Sequence, residues 1–201
     1  MKVLYITLFV VIFDQITKLA VKGFDLKIFG WSHSGMDLYS SIEIIDGFLR
    51  FTFVENPGMA FGINLGGKLF FTLFSILASI GILMYLYKMR KETLWLRMPL
   101  AFILGGAFGN LIDRAFYGVL YGEAPLFYGR VVDFIELEFF RMELFGYRLT
   151  SWPVFNISDV AVTVGVIILI VFHGKISRLL DQKEEPILKV PTPEFYKSTL
   201  E

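Results

Sequence analysis

Four aspartates, Asp14, Asp113, Asp133 and Asp159, stand in or at the edges of apolar segments of this chain. An ionised carboxylate in or near a bilayer is costly unless it is paired, hydrated or neutralised, so such residues usually mark function. Two of the four have a positive neighbour in the sequence. Asp14 has Lys18 one helical turn later, and Asp113 is followed at once by Arg114. Asp133 and Asp159 have no such neighbour, and two unpaired carboxylates near one membrane face point to a site that handles protons. Other chemistries are poorly supplied. The chain has no cysteine, which excludes disulfides, thiolate metal sites and a cysteine nucleophile. Its two histidines, His33 and His173, lie away from the acids, which argues against a histidine metal site or a serine–histidine pair. No metal and no cofactor is expected.

These acids must be held by membrane helices. The chain has 201 residues, of which 55% are hydrophobic and 17% aromatic. With a mean hydropathy of +0.62 it lies well above an ordinary soluble domain and reads as a multi-span membrane protein. Net charge is zero, so nothing indicates a nucleic-acid partner. A span needs about 20 mostly apolar residues. Four stretches qualify, over about 3–22, 69–88, 97–116 and 154–173. The first looks like a signal peptide, but no small-residue cleavage site follows and Asp14 and Lys18 interrupt its end. It is read as a retained helix.

The short loop between the second and third spans is dense in Lys88, Arg90, Lys91 and Arg97. Positive loops stay cytoplasmic, which puts both termini inside and the two long loops outside. All four aspartates then gather near the outer face. The outer segments at about 40–62 and 128–150 alternate apolar with polar residues, as in Leu49–Phe53 and Ile135–Phe139, and read as β-rich, with a hairpin near Arg141–Glu143 and Gly146. The expected fold is membrane α-helical: four transmembrane helices with a small β-rich extracytoplasmic cradle. Residues 1–175 form one domain, and 176–201 a polar, proline-containing cytoplasmic tail with little order.

Each polar cluster also has a plain structural reading. Asp14 and Lys18 share a helical face, acid first, and suit an ion pair that holds helix one in the bundle. Glu55-Asn56-Pro57-Gly58 follows a strand pattern and makes a turn, with the Asn56 amide a candidate for binding substrate. Gly105 and Gly109 have the small-xxx-small spacing of closely packed membrane helices, and Asn110, Asp113 and Arg114 form a polar cap beyond them. Asp159, three residues after Asn156, suits charge compensation at a helix start if the helix begins near Asn156. Asp133, set in Val131-Val132-Asp133-Phe134-Ile135, has no comparable structural excuse.

Asp14-xxx-Lys18, Asn56-x-Gly58-x-Ala60-Phe61, Gly109-Asn110-xx-Asp113-Arg114, Val132-Asp133-Phe134 and Phe155-Asn156-xx-Asp159 occur in this order across about residues 10–165. Together they resemble lipoprotein signal peptidase (signal peptidase II). The resemblance implies an aspartic endopeptidase of the bacterial cytoplasmic (inner) membrane, with its active site near the outer face. Its substrate would be a diacylglyceryl-modified prolipoprotein, cut on the amino side of the lipidated cysteine. The family's catalytic pair maps onto Asp133 and Asp159. Its supporting residues map onto Asp14, Lys18, Asn56, Asn110, Asp113, Arg114 and Asn156, with Gly109 in the same motif, and its outer β segments form the cradle and a lid. Here the stretch between Asp133 and Asp159 is longer than usual for the family, and Met59 and Ser158 stand where alanine is common.

On that reading the two carboxylates share a proton, one activating water and the other polarising the scissile carbonyl. The partners are the lipid-modified substrate and membrane lipids, and the expected state is a monomer. A small proton-coupled transporter is the rival reading. It requires a polar path across the membrane, whereas all the acids here lie toward one face.

Overall fold

The computed structural model describes residues 2–60, 63–64, 67–138, 142–144, 147–149 and 152–172. Helix α1 (Leu4–Lys22) runs without Pro or Gly to Gly23, which takes a positive φ of 83° and donates its N–H to Leu19 O. A hairpin of β1 (Phe24–Leu26) and β2 (Trp31–His33) follows, its tip a 3₁₀ turn over Lys27–Phe29. Next come β3 (Ser41–Ile45), β4 (Leu49–Asn56) and a short pair, β5 (Met59–Ala60) with β6 (Ile63–Asn64). Helices α2 (Gly67–Lys88) and α3 (Leu94–Ile112) follow and pack against each other. The chain then widens into a π-helical turn over Asp113–Tyr117 and ends in one α turn, α4 (Gly118–Leu120). Strand β7 (Val131–Leu137), the hairpin β8 (Met142–Leu144) with β9 (Tyr147–Leu149), and helix α5 (Ile157–Val171) complete the order.

Three helical stretches, Leu4–Lys22, Leu69–Lys88 and Leu94–Leu120, are long and apolar enough to cross a membrane by length and composition. The fourth apolar helix, Ile157–Val171, has 15 residues among those described. It starts later than the sequence pattern predicts. Phe155 is taken by the sheet: it exchanges hydrogen bonds with Ile135 and accepts another from Phe134 N–H. The chain divides into Met1–Val166, which holds every site residue discussed below, and Ile167–Glu201. The predicted tail and its order lie outside the described residues, as do Arg141, Gly146, Phe61 and Gly62.

The sheet orders β3-β4-β7, all antiparallel, with Val54 opposite Asp133 and Asn56 opposite Val131. Side chains alternate across a strand. Val132 and Phe134 therefore share one face of β7 and join Val21, Phe53 and Tyr117 in a buried cluster. Asp133 points to the other face. Phe51 and Phe134 meet edge to face at 5.7 Å across the strands, a geometry that adds about 1 kcal/mol to simple burial.

The glycines of α3 let the helices close on the site. A Cβ at Gly105 would stand 2.8 Å from Val10 Cβ of α1, and one at Gly106 would meet the Ser158 carbonyl of α5. At Gly109 a Cβ would overlap Ser158 Oγ and lie 2.5 Å from Asp14 Oδ2. Gly109→Ala is therefore expected to lower stability by about 1–3 kcal/mol, the usual cost of overpacking. Thermal unfolding in detergent measures it, and an unchanged midpoint would mean that the helices separate without penalty.

Candidate active site

Lys18 is the hub of the polar interior. It is fully buried, as are Asp14 and Asp113. Its ammonium reaches Asp14 at 2.8 Å, Asp113 at 2.7 Å and Asn110 Oδ1 at 2.9 Å, which uses all three of its N–H donors. One cation between two carboxylates leaves a negative charge that other donors must meet. Ser158 N–H, at the start of α5, donates to Asp14 Oδ1 at 2.9 Å. Val132 N–H donates to Asp113 Oδ2 at 3.2 Å, and Gln15 Nε2 to Asp113 Oδ1 at 2.9 Å. Tyr117 O–H in turn donates to Gln15 Oε1 at 3.1 Å. With these bonds the buried charges are paired and satisfied, the condition for holding them in a low-dielectric interior.

Two side-chain amides link this hub to the other two acids. Asn110 receives Lys18 on its oxygen and donates its Nδ2 to Asp159 Oδ1 at 2.9 Å. Asn156, fully buried, donates its Nδ2 to Asp133 Oδ1 at 2.6 Å and to Asn110 Oδ1 at 3.0 Å. Asn156 also caps α5. Its Oδ1 accepts from Asp159 N–H at 3.0 Å, and its own N–H donates to Asp159 Oδ2 at 3.2 Å. That reciprocal pair is a capping box, with Asp159 in the role usually held by glutamate. The plain reading of Asp159 as compensation for the helix start thus holds as geometry, and it fixes the carboxylate instead of consuming it.

Asp133 and Asp159 open onto one cavity of about 380 Å³. Asn56, Gly58, Phe71 and Arg114 line it, with the Trp152–Phe155 segment completing the rim. Among the described residues neither acid forms an ion pair, so both remain available to a ligand. Asp133 is 3% exposed, whereas Asp159 is half-buried. Burial first, and the charge of Asp159 second, push the Asp133 carboxyl up to about 7, against opposing effects of Lys18 and of hydrogen bonds from Asn56 and Asn156. Among the described residues no group of three or more His, Cys, Asp or Glu is placed to hold a metal.

All ten candidate residues meet in this network or at its cavity. One pairing differs from the sequence expectation. Asp113 pairs with Lys18 of α1 and not with Arg114. Consecutive helical residues do not face each other. The π turn that begins at Asp113 sends the two side chains to opposite tasks, Asp113 inward and Arg114 to the cavity. Such widened turns recur at functional sites. Asp159 lies in the first turn of α5, because the helix begins at Ile157 and not at about residue 154. The Asn56 turn forms as expected, with Gly58 N–H donating to Asn56 Oδ1 at 2.9 Å at a positive φ of 104°.

Gln15, Tyr117, Phe71 and Trp152 were not read from the sequence. For Gln15 a signal existed: an amide inside an apolar helix needs partners. The two aromatic rims carried none, because aromatics are common throughout this chain.

A membrane helix bundle whose buried ion network holds two unpaired carboxylates at an open cavity has the parts that a membrane hydrolase requires. The sequence profile of the family described as signal peptidase (SPase) II matches residues 6–174. The chain is 34% identical to the lipoprotein signal peptidase of Chlorobium luteolum, over 85% of this chain and 90% of that protein. It is 36% identical to that of Syntrophus aciditrophicus, over 81% and 85% respectively. A solved structure described as a bacterial membrane enzyme superposes with a TM-score of 0.60 at 34% identity, covering 85% of this chain and 90% of that one. A second so described gives 0.59 at 33% identity over 94% of each. The chain belongs to the signal peptidase II family and is a membrane peptidase.

Proposed function

We propose that this chain is an aspartic endopeptidase of a bacterial cytoplasmic membrane. It removes the signal peptide from diacylglyceryl-modified prolipoproteins and cuts on the amino side of the lipidated cysteine. Its termini are cytoplasmic and its site faces outward. The observation that carries the reading is the pair Asp133 and Asp159, open to one cavity, unpaired with any cation among the described residues, and joined through Asn110 and Asn156.

The deeper burial of Asp133 supports Asp133 as the holder of the shared proton and leaves Asp159 as the base. Asp159 takes a proton from water as the water oxygen bonds to the scissile carbonyl carbon. Asp133 donates to the carbonyl oxygen. Collapse of the tetrahedral intermediate breaks the C–N bond, the proton gained by Asp159 goes to the leaving amine of the cysteine, and the proton lent to the carbonyl oxygen returns to Asp133. Arg114 has no ion pair among the described residues and lines the cavity, so its guanidinium is available to the substrate carbonyl or the developing oxyanion. The Asn56 amide lines the same cavity. The substrate's acyl chains stay in lipid beside the exposed helix faces. The sheet β3-β4-β7 supplies the cradle.

Cleavage of a purified diacylglyceryl-modified prolipoprotein in detergent tests this directly. The expected products, read by mass spectrometry, are the free signal peptide and a mature chain beginning at the modified cysteine. The unmodified precursor stays intact, and a metal chelator leaves the rate unchanged. Cleavage elsewhere, or equal cleavage of the unmodified precursor, would overturn the assignment.

The pH dependence follows from Asp133. Its proton is present below about 7 and is lost as pH rises through that value. Turnover should therefore fall on the alkaline side with a limb near 7. Stability moves in the same direction. The folded state holds this proton more tightly than the unfolded chain, whose value is near 3.8, so the Asp133 contribution declines as pH rises from about 4 to about 7. A rate that keeps rising from pH 7 to 9 would remove Asp133 as the proton donor.

A further inference from the structure

We propose that the β1–β2 hairpin is a membrane-surface foot, seated in the headgroup region of the bilayer on its lipid-facing side. The strands are short, but their register is amphipathic. Leu26 pairs with Trp31 and Phe24 with His33, whereas Asp25 pairs with Ser32 between them. One face of the ribbon therefore carries Phe24, Leu26, Trp31 and His33, and the other carries Asp25 and Ser32. Phe29 at the tip reaches toward Trp31, ring centroids 6.5 Å apart. Phe29 and Trp31 are 70% and 69% exposed, an aromatic patch that a water-facing loop would not keep.

The hairpin is also placed by rigid contacts. Its base locks onto the end of α1: Met36 N–H donates to Val21 O at 2.7 Å, and Gly23 and Gly35 lie backbone to backbone. His33 Nε2 bonds Ala20 O at 2.8 Å. That contact fixes the direction of the apolar face. The exposed stripe of α1 runs through Tyr5, Phe9, Ile12, Phe13 and Ile16, and Ala20 continues it one turn beyond Ile16. The face that carries Trp31 therefore extends the lipid-facing side of a membrane helix past its last turn. Trp at the water boundary, with the exposed Lys27 beside it, is the composition of an interfacial anchor. Continuity with the bilayer stripe commits the occupant to lipid. The consequence is a fixed height for α1, and with it for Asp14 and Lys18, relative to the headgroups.

The absence of cysteine makes the test clean. Single-cysteine variants Phe29→Cys and Trp31→Cys carry a nitroxide in phosphatidylcholine–phosphatidylglycerol nanodiscs. Ile12→Cys serves as lipid reference and Lys91→Cys as water reference. Collision with dissolved oxygen is compared with collision with a water-soluble nickel complex. Both hairpin labels are expected to favour oxygen, at a depth of about 5–10 Å, as for other interfacial amphipathic elements. Trp31 left as the only tryptophan, by Trp95→Phe and Trp152→Phe, should be quenched by shallow brominated lipid, independently of any hairpin substitution. Labels as accessible to nickel as Lys91→Cys, with no quenching of Trp31, would overturn the proposal. So would dipolar broadening between labels, which would seat the hairpin on a second copy of the chain.

Discussion

Asp133→Asn and Asp159→Asn are each expected to reduce prolipoprotein cleavage by about 10⁴-fold, the upper end of what a positioned proton donor or acceptor contributes. The two substitutions remove different things. Asp133→Asn keeps a group that can meet Asn156 but cannot hold a transferable proton. Asp159→Asn keeps an oxygen for the Asn156 N–H, and its backbone N–H still meets Asn156 Oδ1, so the capping box survives, but it loses an oxygen that accepts from Asn110 and the charge with which to activate water. Both variants should therefore stay folded, with thermal midpoints in detergent close to wild type. The double variant should lose little more than either single one, because a dyad acts as a unit. Turnover within tenfold of wild type in either folded variant would end the aspartic reading, whatever the family resemblance.

Lys18→Met has the largest expected effect on the fold. It leaves Asp14 and Asp113 buried without their cation, and breaking a buried ion pair by removing one partner costs about 3–5 kcal/mol. It also removes the donor that holds Asn110 against Asp159. The variant should accumulate poorly or unfold well below wild type. Adding Asp14→Asn and Asp113→Asn makes the set neutral and should recover part of that stability. It should not restore activity, since Asn110 still lacks its donor. Separate thermal and cleavage measurements on the single and triple variants check both halves. A Lys18→Met protein as stable as wild type would show that water or another group meets the two carboxylates, and the hub would lose its role.

The candidate pair was legible in the sequence because charge accounting is local. Asp14 and Asp113 each came with a cation on the same predicted helix, Arg130 near Asp133 pairs with Glu55, and Asp133 and Asp159 open onto the cavity without an ion partner among the described residues. The spans were legible for a similar reason: an apolar run of membrane length has few other uses. Where the reading missed, a longer-range contact had prevailed over a local rule. Arg114 adjoins Asp113 in sequence, yet Lys18 took the acid because two helices meet at Gly109 and bring the ammonium within 2.7 Å. The fourth helix lost its first predicted turn because Phe155 satisfied its backbone on β7 instead.

Residue types and spacing were therefore enough to establish a membrane bundle, the absence of thiol chemistry and two candidate acids. Those properties depend on hydropathy and on groups one helical turn apart. The difference in burial on which the proposed roles rest was decided by the fold: β7 encloses Asp133 while the start of α5 leaves Asp159 half open. The route from Lys18 through Asn110 to Asp159, and the direction in which the hairpin turns Trp31, likewise came only from packing. A side chain's charge is written in the chain, but its solvation is set by what the fold brings against it.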